Sequence, residues 1–214
     1  MSGRATSAVS LVSSLLSPHI QLFVLTSFSC SGATSGEFNP KAEHPIIIFM
    51  PEISKTHMGG TMRLGLRPTV FDPDTESWSK VRKLYAGAPK IWERHRHRYE
   101  VNPAYLDRLS EKGMRFVGKD ERGERMQVLE LPDHPYFVGF QAHPEFCTRP
   151  LNPSPPFLGF VAASSSAQVL EQQIENQMRS FKPPHPEGAM VDEASLRHDE
   201  ERPAGEEVIL SSEQ

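Results

Sequence analysis

Apolar and polar positions change character twice along the chain. From about residue 44 to residue 181, short apolar runs alternate with turn residues; before and after that stretch the pattern is lost. Residues 45–50, Pro-Ile-Ile-Ile-Phe-Met, form an apolar, β-branched run and predict a buried strand. Residues 61–66 lead to residues 69–71, which predicts a hairpin or meander at a sheet edge. Residues 79–85 predict a short helix. A second helix is expected over 104–112, with Tyr105, Leu106 and Leu109 at helical spacing and Gly113 as its stop. Three strands follow, at 115–118, 125–131 and 136–142, separated by the charged turn 120–123 and by Pro132-Asp133-His134-Pro135. One last helix is expected from 157 to about 181, with Leu170, Ile174 and Met178 as its packing stripe.

Composition narrows where the core lies. The 214 residues suffice for one medium domain, but only 37% are hydrophobic and 19 are proline, which places both ends outside the core. The expected organisation is a non-family N-terminal segment over 1–32, disordered or mispredicted, a folded part over 33–181, and a disordered tail over 182–214. Arg4 is the only basic residue of the first segment, and Pro18, His19 and Gln21 interrupt its apolar run. This argues against a secretory signal and against a spanning helix, so no membrane partner is expected. A net charge of −4 excludes a general nucleic-acid binder. Cys30 and Cys147 have neither disulfide-framework nor zinc spacing; no metal site and a reducing, cytoplasmic setting are expected.

Three segments hold candidate chemistry. His143-Pro144-Glu145 ends the apolar strand at 136–142. Proline keeps the preceding residue extended, and in extended chain i and i+2 share a side, so the histidine can be a general base oriented by the carboxylate. The same tripeptide recurs at His185-Pro186-Glu187 in the tail, so only its position at the mouth of a buried strand favours the first copy. Arg94-His95-Arg96-His97-Arg98 would alternate on a strand, arginines to one face and histidines to the other. The guanidiniums suit an anion better than a metal, and the ordinary reading is a solvated edge. Gly59, Gly60 and Gly65 lack the phosphate-loop pattern, and Glu37 reads as an exposed acid before a strand.

Taken together and in order, Met58-Gly59-Gly60-Thr61-Met62-Arg63-Leu64-Gly65, the run from Glu93 to Pro103, Gly123-Glu124-Arg125-Met126 and His143-Pro144-Glu145-Phe146 resemble the C-terminal amidotransferase domain of CTP synthase. The resemblance covers about residues 33–164. It implies a partial class I glutamine amidotransferase: an α/β, flavodoxin-like fold with a mainly parallel central sheet and a meander. It further implies a Cys-His-Glu glutaminase whose ammonia passes to a synthetase domain that aminates UTP with ATP. By that resemblance His143 is the base, Glu145 its orienting acid, Arg98 the ligand of glutamine's α-carboxylate, and Glu37 the ligand of its amino group. The family enzyme uses ATP, UTP and magnesium with GTP as activator, none of them held by this part, and is homotetrameric. Glutamine and the synthetase domain, or full-length CTP synthase, are the implied partners.

The family's Gly-x-Cys-x-Gly-x-Gln nucleophile elbow, expected roughly two dozen residues before Glu37, is not found in residues 10–31. Cys30 lies only seven residues ahead of Glu37, without elbow glycines. The expectation is a chain of the CTP synthase family without glutaminase activity of its own. The alternative is a non-catalytic amidotransferase-like protein that binds glutamine or full-length CTP synthase.

Overall fold

A computed structural model describes residues 32–50 and 62–182, and the backbone course of residues 10–13. The strands are β1 (Ser10–Ser13), β2 (Ala33–Ser35), β3 (His44–Phe49), β4 (Arg63–Phe71), β5 (Lys90–His97), β6 (Tyr99–Val101), β7 (Arg115–Lys119), β8 (Met126–Glu130) and β9 (Phe137–Phe140). The helices are α1 (Lys80–Leu84), α2 (Leu106–Glu111), α3 (Pro155–Ser165) and α4 (Ala167–Ser180). Six strands form one sheet in the order β1-β9-β8-β7-β4-β5, and three form a second in the order β2-β3-β6.

The α/β class agrees with the sequence, but the direction of the strands needs correcting. Among the described residues the parallel pairs are β1 with β9 and β2 with β3; the other pairs are antiparallel. The meander dominates because β7, β8 and β9 are joined by turns of a few residues, too short for the crossover a parallel pair needs.

Two further expectations change. Residues 63–71 make one continuous strand rather than a hairpin, despite Gly65 and Pro68. Proline is tolerated because β7 pairs with β4 only at Val70 and Phe71, so no neighbour requires an N–H from Pro68. Its carbonyl accepts from the Gln127 amide at 3.0 Å, in the orientation where the Gln127 oxygen accepts from Arg63 at 3.2 Å. The last helix is two. Ser166 is extended (φ −169°, ψ 166°), and its hydroxyl caps α4 by accepting from Val169 N–H at 3.2 Å.

Apolar side chains form a core on each face of the larger sheet. On one face Phe71, Ile91, Val117, Val128, Val138 and Phe140 meet Val81 and Leu84 of α1, Ala162 of α3 and Leu170 of α4. The 170/174/178 stripe is part of this contact: Leu170 is buried and Ile174 packs against the cluster, while Met178 is half exposed. Gly159 lets α3 lie close, since a Cβ there would stand 2.4 Å from Leu84 Cδ1 and 2.7 Å from Tyr136 Oη. On the other face Met126 and Leu129 pack with Ile46, Ile47 and Val101 of the smaller sheet and Leu109 of α2. The smaller sheet is thereby fixed on the flank opposite α1, α3 and α4.

Candidate active site

Buried Gln141 and Ala142 carry the chain from β9 to His143, where Pro144 starts a single 3-10 turn, Pro144–Phe146. His143 Nδ1–H donates to Glu145 Oε1 at 2.6 Å. The expected neighbours are indeed paired, through a turn rather than extended chain: Phe146 N–H donates to His143 O at 3.1 Å and Cys147 N–H to Pro144 O at 3.0 Å. The His143 side chain is 14% exposed and that of Glu145 38%, so the imidazole is held inside while the side chain of its partner is in part open to solvent. With Nδ1 donating, Nε2 is left as the proton-accepting nitrogen. The Phe146 ring lies against the imidazole, centroids 5.1 Å apart.

The turn is fastened to β5. His143 N–H donates to Arg94 O at 2.8 Å, so the basic run positions the histidine through its backbone. Its side chains alternate as the sequence predicts: Arg94 and Arg96 are exposed, His95 is buried and His97 partly buried. His97 Nδ1 lies 3.1 Å from Tyr99 O, which fixes the proton on that nitrogen and leaves Nε2 to accept from His95 Nδ1–H at 3.2 Å. Burial disfavours the charged form of both rings, followed by the charge of Arg63 for His97 and by the proximity of His97 and then Arg63 for His95. His97 is lowered to about 3, and His95 is shifted well below the ordinary histidine value.

The third residue on that inward face is Glu93, 3% exposed. Tyr85 Oη–H donates to Glu93 Oε1 at 2.6 Å. Burial raises the Glu93 carboxyl from 4.5 to about 7, with hydrogen bonds from Tyr85 and Cys147 acting the other way and the charge of Glu145 adding to the rise. Cys147 is half-buried, and burial followed by the charge of Glu93 pushes its thiol up to about 12. Such a thiol is protonated at neutral pH and unsuited to attack a carbonyl. Glu93, Tyr85 and Cys147 were not singled out from the sequence as a cluster. The i, i+2 spacing of Glu93, His95 and His97 was the available signal for Glu93.

Arg98 is partly buried where β5 passes into β6, its carbonyl accepting from Met50 N–H at 2.9 Å at the end of β3. Glu37 is exposed on the turn after β2, its N–H donating to Ser35 Oγ at 3.2 Å. These two residues therefore belong to the smaller sheet and its margins, whereas His143 and Glu145 belong to the larger. Cys30, Gly59, Gly60 and the His185 tripeptide lie outside the described residues. Among the described residues no group of three or more His, Cys, Asp or Glu side chains could hold a metal ion, and no helix is long and apolar enough to cross a membrane.

An α/β domain that presents a carboxylate-oriented histidine at the end of a sheet strand has the geometry that a nucleophile-and-base hydrolytic site requires of its base. The sequence pattern of the family described as glutamine amidotransferase class-I matches residues 30–163, and the chain belongs to that family. Among curated relatives, it is 51% identical over 163 residues to CTP synthase of Schizosaccharomyces pombe, covering 75% of this chain and 27% of that one. It is 61% identical over 132 residues to CTP synthase of Neurospora crassa, covering 62% and 23%. The chain thus spans about a quarter of the length of these relatives. The solved glutaminase domain of Trypanosoma brucei CTPS with bound acivicin superposes with a TM-score of 0.68 at 30% identity, over 76% of this chain and 62% of that one.

Proposed function

We propose that the chain supplies the base and glutamine-binding parts of the glutaminase half-reaction of CTP synthase, and that by itself it binds glutamine without hydrolysing it. The observation that carries this reading is the 2.6 Å bond from His143 Nδ1–H to Glu145 Oε1, in a chain of the class-I amidotransferase family. His143 Nε2 takes the proton of an attacking nucleophile, and the Glu145 carboxylate stabilises the imidazolium that results. The same proton then goes to the departing nitrogen, so that glutamine and water yield glutamate and ammonia. Arg98 pairs with the substrate's α-carboxylate through its planar fork, and Glu37 with the α-ammonium. Acivicin, the ligand of the Trypanosoma brucei domain, is a glutamine analogue, which supports glutamine as the small molecule recognised.

Hydrolysis also needs a thiolate. The sequence has two cysteines; Cys147 is held protonated, and Cys30 lacks the elbow glycines. In this reading the folded unit is residues 33–181, the ammonia would serve a cytosolic synthetase domain that activates UTP with ATP and magnesium under GTP activation, and the assembly is tetrameric. The same chemistry accommodates a purely binding role, because a protonated Cys147 leaves recognition of glutamine intact while removing turnover.

Calorimetric titration of the purified chain with glutamine tests the proposal. Measurable binding is expected, weakened at least tenfold by Arg98→Ala and by Glu37→Ala, with no glutamate released above a His143→Ala control. Binding that is absent at millimolar glutamine, or that ignores both substitutions, would sink the recognition half. Release of glutamate that His143→Ala abolishes would sink the claim of inactivity.

A further inference from the structure

The chain passes from the larger sheet to the smaller through Arg98. His97 closes the β4–β5 ladder opposite Arg63, and Tyr99 opens β6 opposite Phe49 of β3, while Arg98 lies in neither strand and forms a bend. Arg94 and Arg96 stand exposed on the straight part of β5, where the ladder with β4 fixes their backbone. The direction of the Arg98 side chain depends instead on whatever holds the bend. That matters for an arginine, because its guanidinium sits at the end of a long stem and a small rotation of the backbone swings it far.

Hydrogen bonds hold the bend from both sides. Met50 N–H, just past the end of β3, donates to Arg98 O at 2.9 Å. His97 Nδ1 lies 3.1 Å from Tyr99 O; since a carbonyl only accepts, the imidazole donates there and closes a ring across Arg98. Nε2 of the same imidazole is then an acceptor, which His95 Nδ1–H fills at 3.2 Å. His95 is 2% exposed, so the line of contacts starts from a buried anchor in β5 and ends on the carbonyl beyond the bend. Tyr99 is seated on the smaller sheet by its ring, edge-on to that of Phe49 with centroids 5.4 Å apart.

We propose that His97 is a positioning residue for glutamine recognition: braced by His95, it splints the bend at Arg98 and so sets the direction in which the guanidinium meets the substrate's α-carboxylate. A two-bonded contact needs the planar fork aligned with the carboxylate, so a misdirected stem loses both bonds together while the charge stays in place. His97 therefore acts on the orientation of the site and not on its charge. Its bearing on glutamine rests on the reading of Arg98 as the carboxylate's ligand. The splint itself does not, and it is measured without substrate.

A long-range proton–nitrogen correlation spectrum of the unsubstituted chain at neutral pH is the first test. It should show His97 protonated at Nδ1; a His97 protonated at Nε2 alone cannot donate to Tyr99 O and would overturn the splint without any substitution being made. His97→Leu removes donor and acceptor together and should speed hydrogen exchange at the Met50 amide about tenfold, whereas His97→Asn, which places an amide N–H where Nδ1–H stands, should keep it slow. Equal Met50 exchange in the unsubstituted chain and a folded His97→Leu chain would likewise overturn the splint. In calorimetric titration, His97→Leu should weaken glutamine binding about fivefold or more and His97→Asn less than about twofold, and in an Arg98→Ala chain His97→Leu should have no further effect. Undiminished glutamine affinity in His97→Leu, or an equal loss with and without the Arg98 side chain, would overturn the positioning role. Absence of glutamine binding to the unsubstituted chain would sink the recognition role of Arg98 and with it this use of His97, while the tautomer and the Met50 exchange would still decide the splint.

Discussion

Glu93 and His97 share one face of β5, four residues apart, and their titrations act on stability with opposite sign. The Glu93 carboxyl rises from 4.5 to about 7 on folding, so the folded chain binds the proton more tightly. Its contribution is complete below pH 4.5 and is lost as pH rises to about 7. His97 falls from 6.5 to about 3, so the unfolded chain binds the proton more tightly, and stability is lost as pH falls from 6.5 towards 3. Each slope is about 1.4 kcal/mol per pH unit within its window, and between pH 4.5 and 6.5 the two nearly cancel. His95, shifted in the same direction as His97, tips the balance towards greater stability at higher pH. Urea unfolding from pH 4.5 to 6.5 should show a shallow rise for the unsubstituted chain, a steeper one for Glu93→Gln, and a flat or falling one for His97→Gln. Parallel curves for all three would contradict this account. The sequence made the alternation of this run legible and left its consequence hidden. Arginines outside and histidines inside follow from period two alone, whereas the raised carboxyl of Glu93 follows from its burial beneath elements distant in the sequence.

At the level of elements, the helix starts were more legible than the breaks. Ser79 was placed at the first position of the helix expected over 79–85, and in the structure it is the cap: its hydroxyl accepts from Arg82 N–H at 3.1 Å and donates to Glu130 Oε2 at 2.8 Å. Glu130, 0% exposed on β8, also accepts from Lys80 N–H at 3.0 Å, so one buried carboxylate satisfies the open end of α1 and ties it to the sheet. No local pattern announces such a contact across 50 residues. Ser166 and Pro68 escaped for a related reason. A serine between two apolar stripes in phase reads as continuous helix, and a proline reads as a strand end until it is known that no neighbouring strand requires its N–H. Glu130→Ala should cost about 2–3 kcal/mol, because it orphans the Ser79 hydroxyl and the Lys80 N–H inside the protein. Glu130→Gln, which keeps an acceptor, should cost about half as much. Equal losses in urea unfolding for the two variants would mean that packing, not hydrogen bonding, is what Glu130 supplies.

For the molecule as a whole, the question is how the two sheets keep their relative position, since His143 and Glu145 stand on one and Arg98 and Glu37 on the margins of the other. The apolar contact beneath them is one answer. The other is Arg125 in the Gly-Glu-Arg-Met segment, 7% exposed at the start of β8. Its Nε–H donates to Glu100 Oε2 on β6 at 3.2 Å and its Nη1–H to Asp120 Oδ2 at 3.4 Å. Asp120 Oδ1 in turn accepts from the N–H groups of Glu124 and Arg125. Glu100 is two residues from Arg98, so this bridge bears on the position proposed for glutamine's carboxylate. The sequence flagged both motifs without connecting them, because nothing in either shows that the turn over 120–123 folds back beside β6. Arg125→Ala leaves two carboxylates buried without their cation and should cost about 3–5 kcal/mol in urea unfolding. At a urea-free pH where the variant remains folded, its glutamine dissociation constant should rise as well. Combining Arg125→Met with Glu100→Gln and Asp120→Asn removes all three charges and should restore most of the stability, while glutamine binding stays weak if the bridge matters for the site. If the neutral triple variant regains full affinity, the apolar contact alone holds the sheets in register, and the charged bridge contributes only the penalty of its own disruption.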